Sequence, residues 1–233
     1  MFDVRLFTSM KGLFITFEGG EACGKSTQLS LLAERLRQSG RSVRTVREPG
    51  GTAIGEEIRH TLQHSRDNEA MTPEAELLLM NASRAQLIRE VIRPALANGE
   101  IVLCDRFYDS TTAYQGYGRQ LNLKMVQEIV DVAVGETRPD LTLLLLVSPA
   151  VAAGRLWSRQ STAPVMRDRM EEAGRDFFER VARGYKAIAA GEPKRVRPVD
   201  AAGTIEEIAG RIWKIVEPLV KKPKRGKAAG ESP

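Results

Sequence analysis

Gly19-Gly20-Glu21-Ala22-Cys23-Gly24-Lys25-Ser26 constrains this chain more than any other stretch. It fits G-x-x-x-x-G-K-[ST], in which glycines let the backbone curl so that several N–H groups point at phosphate oxygens. In that pattern Lys25 reaches the β- and γ-phosphates, and the Ser26 hydroxyl is a Mg²⁺ ligand. The helix that follows adds its positive dipole end. Leu13 to Phe17 ahead of the loop reads as a short buried strand. Thr27 to Gln38 after it reads as an amphipathic helix, with Leu29, Leu32, Ala33 and Leu36 on one face. Strand, glycine loop and helix together are the context that separates a phosphate-binding loop from a chance glycine turn.

The rest of the chain alternates in the same way. Strands are expected at Ser42–Arg47, Ile101–Cys104, Leu141–Val147 and Arg195–Val199. Helices are expected from Thr52 to about His64, from Thr72 to about Asn98, from Leu121 to Gly135, from Pro149, from Phe177 to about Ala190, and from Thr204 to Val220. Five strand–helix alternations predict an α/β fold, a doubly wound five-stranded parallel sheet flanked by helices. Right-handed crossovers then place the phosphate loop beside the end of the Cys104 strand. Asp105-Arg106 sits there, where α/β sheets bind ligands. Asp105 is positioned to hold Mg²⁺ or its water, and Arg106 a phosphate bidentately; an ion pair capping the strand is the structural alternative. Arg155 to Arg175 is rich in arginine and poor in apolar residues, so it reads as a mobile lid rather than core.

Composition narrows the function. The formal net charge is +5, but residues 221–233 hold five basic residues and one acid. The body is therefore nearly neutral, and no specific nucleic-acid partner is expected. Residues 1–220 read as a single domain, and 221–233 as a disordered basic tail. Residues 1–10 fit the first strand poorly, so they read as a frayed arm or as the stretch before a start at Met10. The longest apolar run, Leu141–Val147, is far short of a membrane span. Two cysteines give no disulfide framework, which favours a reducing cytoplasm. Cys23 lies near a helix N-terminus and next but one to Lys25. These features favour a reactive thiolate, against the alternative of a small thiol that fills space.

Several further motifs give the chain a family likeness. Phe17-Glu18-Gly19 through Thr27, Arg47-Glu48-Pro49-Gly50-Gly51-Thr52, Arg84-Ala85-Gln86, Asp105-Arg106-Phe107 with Ala113-Tyr114-Gln115-Gly116, and Asp168-Arg169 before Phe177-Phe178 together resemble the thymidylate kinases, over roughly residues 12–220. The resemblance implies transfer of the ATP γ-phosphoryl group to dTMP, giving dTDP for dTTP and DNA synthesis, with Mg²⁺ and in a homodimer. It gives Gly19, Gly20, Glu21, Ala22, Cys23, Gly24, Lys25, Ser26 and Thr27 to ATP, and Ser26 and Asp105 to the metal. Glu21 would also bind the dTMP 3′-hydroxyl. Arg106, helped by Arg59, would hold the acceptor phosphate. Arg84 would meet the thymine carbonyl, Thr111 and Gln115 would line the base pocket, and Tyr114 would pack under the deoxyribose.

Two positions depart from the family pattern. Met80 stands where the family usually has a Phe that stacks on thymine, and a Met can pack on a ring face through its sulfur. Ala22 stands where some members carry an Arg in the loop. The missing cation is then expected from the lid, from Arg159 or Arg169, with Arg167 third. Two other classes fit the loop: a kinase for a different nucleotide or nucleoside, and a GTP-dependent switch, for which Asp200-Ala201-Ala202-Gly203 fits D-x-x-G. No N-K-x-D accompanies it.

Overall fold

A computed structural model describes residues 12–65, 68–162 and 174–221. The N-terminal arm, Asp168, Arg167, Arg169 and the tail beyond Lys221 lie outside the described residues, and Arg159 is described only by its place in a helix.

Five parallel strands make one sheet: β1 (Leu13–Gly19), β2 (Val43–Arg47), β3 (Ile101–Asp105), β4 (Leu141–Leu146) and β5 (Val196–Asp200), in the order β2-β3-β1-β4-β5. The chain leaves β1 toward β2 and β3 on one side, then crosses to β4 and β5 on the other. The C-terminal end of β1 is thus the switch point at which such sheets open a ligand crevice. Phe17 pairs with Asp105 and Gly19 with Leu145, so the glycine loop rises between the ends of β3 and β4.

Side chains alternate along β1, and each face finds its own cover. Ile15 and Phe17 pack with Leu32 and Leu36 of helix α1 (Lys25–Gln38) and with Ile208 and Ile212 of the last helix. Phe14 packs on the other face with Val102, Leu77, Leu87 and Val126. Thr16 and Glu18 share that second face, which makes it polar toward the loop end.

The helices open where capping chemistry predicts. Thr52 caps α2 (Ala53–Gln63) through the Gly55 N–H, and Thr72 with Pro73 opens α3 (Pro73–Leu87). Instead of running regularly to Asn98, the helix widens to a π-turn at Ile88–Ile92 before α4 (Arg93–Ala97). Pro94 supplies no N–H and its ring crowds the turn before it, so an extra residue there relieves the ladder. Tyr108–Thr111 (α5) continues into a second π-turn, Thr112–Gly118. At Gly118 a Cβ would lie 2.6 Å from the Phe177 ring. That close approach docks α8 (Arg175–Gly191) on this segment, where Tyr114, Phe177, Val181 and Tyr185 form a third cluster. Helix α6 (Leu123–Val134) packs beside α3, α7 is Pro149–Thr162, and α9 is Ile205–Lys221.

The arginine-rich stretch begins as structure rather than as loop. Arg155 and the seven residues after it are the second half of α7, and Arg175 opens α8. Only the residues between Thr162 and Gly174 remain for a lid, and they lie outside the described residues.

Candidate active site

At the C-terminal edge of β1 and β3 lies a cavity of about 510 Å³. Its wall carries Glu21, Ala22, Gly24, Lys25, Ser26 and Thr27 from the loop and the start of α1. Arg59 comes from α2, Met80 and Arg84 from α3, and Asp105, Arg106, Thr111, Tyr114 and Gln115 from β3 and the segment after it. Of the described candidate residues, Gly19, Gly20 and Cys23 do not line it. Gly19 and Gly20 serve through their carbonyls, as below. Gly19 adopts φ +137°, and a Cβ there would sit 2.4 Å from the Leu145 carbonyl oxygen, so only glycine lets the loop turn this close to β4.

Cys23 corrects the expectation of a reactive thiol. Its side chain is 1% exposed, packs in the core cluster and donates to the Gly20 carbonyl at 3.0 Å. The space-filling alternative describes it; only its backbone remains for phosphate.

Two cations converge on one carbonyl. Lys25 Nζ donates to Gly20 O at 2.8 Å and to Gly19 O at 3.3 Å. Arg106 Nη1 donates to the same Gly19 O at 3.2 Å. Burial, with the positive charge of Arg106 beside it, pulls the Lys25 ammonium below its usual range. Burial also works against the Arg106 charge, but Tyr114, Tyr185, Glu18 and Asp105 outweigh it and hold the guanidinium ionised. Opposed cations of this kind are matched to an anion placed between them.

The Ser26 hydroxyl donates to Asp105 Oδ2 at 2.5 Å, which sets two hard oxygens together at the cavity wall. Among the described residues no group of three or more His, Cys, Asp or Glu is gathered for a metal. Two oxygens fit Mg²⁺, which takes one or two protein ligands and completes its shell with water and nucleotide phosphate.

The far end of the cavity is set by buried carboxylates. Glu48 Oε2 accepts from Arg84 Nε at 2.9 Å and Nη2 at 2.7 Å, and Asn81 Oδ1 accepts from Arg84 Nη1 at 2.8 Å. Three of the five Arg84 N–H groups are thus engaged, which holds the guanidinium at the cavity wall. Glu48 Oε1 is buried with no hydrogen-bond partner among the described residues. Burial raises the Glu48 pKa, against the lowering effect of Arg84. Glu76, wholly buried on α3, accepts from Gln115 Nε2 at 2.8 Å and from Arg119. This pins the amide nitrogen and leaves the Gln115 oxygen on the opposite side.

These motifs and this geometry agree with comparison to known proteins. The family model described as thymidylate kinase matches residues 17–212. The chain is 48% identical over 206 residues to the thymidylate kinase of Synechococcus sp. (strain JA-3-3Ab), covering 88% of this chain and 96% of that one. It is 46% identical over 213 residues to that of Chlorobium luteolum, covering 90% and 99%. The crystal structure of thymidylate kinase from Ehrlichia chaffeensis superposes with a TM-score of 0.70 at 30% identity, covering 88% of this chain and 98% of that one.

The chain belongs to the thymidylate kinase family.

Members of that family are phosphotransferases acting on a nucleoside monophosphate, and the sheet, loop and helices follow the family fold. The D-x-x-G of the switch reading is a turn at the end of β5: Asp200 Oδ1 accepts from the Ala202 N–H at 3.0 Å. The sequence reading gave two groups no individual role in the site. Arg155, on α7, donates to Ala201 O at 3.0 Å and approaches Ala22 O at 3.5 Å, so a cation from a distant helix faces the loop that carries no arginine of its own. The signal was its place inside a helix whose start at Pro149 follows directly on β4. Glu18 is the other. A carboxylate in a buried, mostly apolar strand was visible in the sequence.

Burial, helped by the negative charge of Asp109, pushes Glu18 from 4.5 up to about 7. Between those values the folded protein keeps a proton that the unfolded chain has released. Stability therefore falls as pH rises through that window. Glu18→Gln has no such proton, so the Tm difference between parent and variant should shift in favour of the variant from about pH 5 to about pH 8. Thermal unfolding at the two pH values measures this, and parallel changes in both proteins would contradict it.

Proposed function

We propose that this family member transfers the γ-phosphoryl group of ATP to dTMP, giving dTDP, with Mg²⁺. The observation that carries the reading is the meeting of Lys25 and Arg106 at the Gly19 carbonyl. One cation belongs to the loop that cradles a triphosphate, the other to the base-lined end of the cavity. The place between them is where a donor and an acceptor phosphate would face each other. No covalent intermediate is needed; positioning and charge neutralisation carry phosphoryl transfer.

In this reading the loop N–H groups and Lys25 hold the β- and γ-phosphates, and Arg155 adds positive charge over the donor. Ser26 and Asp105 would hold Mg²⁺, which when bound supplies divalent charge to the phosphate oxygens. Arg106, helped by Arg59, which donates to the Pro49 carbonyl at 2.9 Å, holds the acceptor phosphate. Met80, Arg84, Thr111 and Gln115 enclose the base, Tyr114 the sugar, and Glu21 its 3′-hydroxyl. Arg159, Arg167 and Arg169 supply the remaining cation at the transferred group. Alanine at each of the three, assayed at saturating ATP and dTMP, separates them: the catalytic one loses kcat, and full turnover in all three removes that role from the segment.

We also propose a homodimer through the α3–α6 face, where Leu78, Leu123 and Val132 are exposed apolar side chains. A cytoplasmic setting fits two separate buried thiols, Cys23 and Cys104. Among the described residues no helix is long and apolar enough to cross a membrane. The deciding experiment is a coupled assay with ATP and a panel of acceptors. The expected result is fastest turnover with dTMP and none with thymidine. A preference for thymidine or for another base would overturn the assignment, as would GTP hydrolysis without transfer.

A further inference from the structure

Glu18 is wholly buried at the end of β1, and the roles above give it no part. Its two oxygens make different contacts. Oε1 accepts from the backbone N–H groups of Phe107 at 2.7 Å and Ser110 at 3.3 Å, which ties β1 to the segment following Arg106. Oε2 accepts from the Ser110 hydroxyl at 2.6 Å and from the Tyr185 hydroxyl at 2.9 Å. Tyr185 comes from α8, 167 residues along the chain.

An ionised carboxylate has no proton to give. Each hydroxyl has one, and both are directed at Oε2. Their lone pairs are thereby turned toward Arg106, whose Nη1 lies 3.1 Å from Ser110 Oγ and 3.4 Å from Tyr185 Oη. The two hydroxyl oxygens are 2.9 Å apart, so with both protons committed to Glu18 it is the guanidinium that donates to them. The Arg106 backbone lies in the left-handed region, at φ +68°. An uncommon conformation for a side-chain-bearing residue persists where its surroundings fix it.

We propose that Glu18 is a positioning residue for the acceptor phosphate. Through the Ser110 and Tyr185 hydroxyls it fixes the direction of the Arg106 guanidinium, and so sets how strongly the protein prefers a nucleoside monophosphate to the bare nucleoside. The inference rests on Arg106 as the acceptor-phosphate ligand.

Glu18→Gln is the informative change because it keeps the shape and reverses the polarity. Two backbone N–H groups require the amide oxygen at the Oε1 position. The NH₂ then faces Ser110 and Tyr185 and donates to both, turning their protons toward the guanidinium. Titration calorimetry at pH 8, where the parent carboxylate is ionised, would measure dTMP and thymidine binding to the parent, Glu18→Gln, Tyr185→Phe, Arg106→Ala and the Glu18→Gln/Arg106→Ala double variant. The dTMP-over-thymidine preference should fall roughly tenfold in Glu18→Gln, the scale of a hydrogen bond to a charged group, and less in Tyr185→Phe. Thymidine affinity should stay within about twofold, and adding Glu18→Gln to Arg106→Ala should cause no further loss of preference.

If Arg106→Ala loses the preference while Glu18→Gln and Tyr185→Phe keep it, the inference is overturned. Equal weakening of dTMP and thymidine in Glu18→Gln would overturn it too, since that is general damage. Should Glu18→Gln not fold, Tyr185→Phe decides alone. A full preference in Arg106→Ala would remove Arg106 from the acceptor phosphate, and this inference with it.

Discussion

Lys25→Met lowers kcat by about 10²–10³-fold, the loss seen when one preorganised donor to the developing charge is removed. Methionine keeps the length and apolar stem of the side chain and deletes only the ammonium. Lys25 is 8% exposed, and its ammonium is held by the Gly19 and Gly20 carbonyls and crowded by Arg106. It is a charge kept out of water in the folded protein, and its pull on phosphate does its work in the reaction. Removing it should therefore leave Tm unchanged or higher while turnover collapses. Steady-state kinetics and thermal unfolding on one preparation check both. A variant with lowered Tm and near-parental kcat would make Lys25 a structural residue.

Arg106→Ala lowers kcat/KM for dTMP by about 10²-fold or more, since losing one partner of a desolvated charged contact costs about 2–5 kcal/mol. The KM for ATP should change little. In the proposed reading the guanidinium serves the acceptor side only, and its departure relieves Lys25 of a like charge. Arg106→Lys should recover part of the loss, because an ammonium brings the charge without the planar fork. That fork is spread over Gly19 O, Ser110 Oγ, Tyr185 Oη and Tyr114 Oη, a geometry that a lysine cannot reproduce. A variant that loses ATP and dTMP affinity equally would count against a separate acceptor role.

Much of this fold is written locally. Thr52, Thr72 with Pro73, and the apolar Leu141–Leu146 run place helices and a strand by capping and periodicity alone. Of the two π-turns, the first answers to Pro94, two residues past it, but the second meets Phe177 from a helix far along the chain and is not local in that sense. The candidate site divides in the same way. Lys25, Ser26, Asp105 and Arg106 are legible because phosphate binding needs short motifs at fixed spacing. The groups that aim them are not. Glu48 meets Arg84, Glu76 meets Gln115, and Glu18 meets Tyr185 across separations of 36, 39 and 167 residues. No spacing rule encodes such pairs; packing makes them. Cys23 shows the converse, a residue whose sequence neighbours favour reactivity while its burial denies it.

The most direct test of the account uses one molecule, an adenosine and a thymidine joined 5′ to 5′ through five phosphates. If Lys25 and Arg106 face one another across a single phosphate path, this compound should saturate the protein at one per chain. It should displace both ATP and dTMP, and it should bind more weakly to Lys25→Met and to Arg106→Ala alike. Binding that leaves either nucleotide able to bind at full affinity would contradict the account.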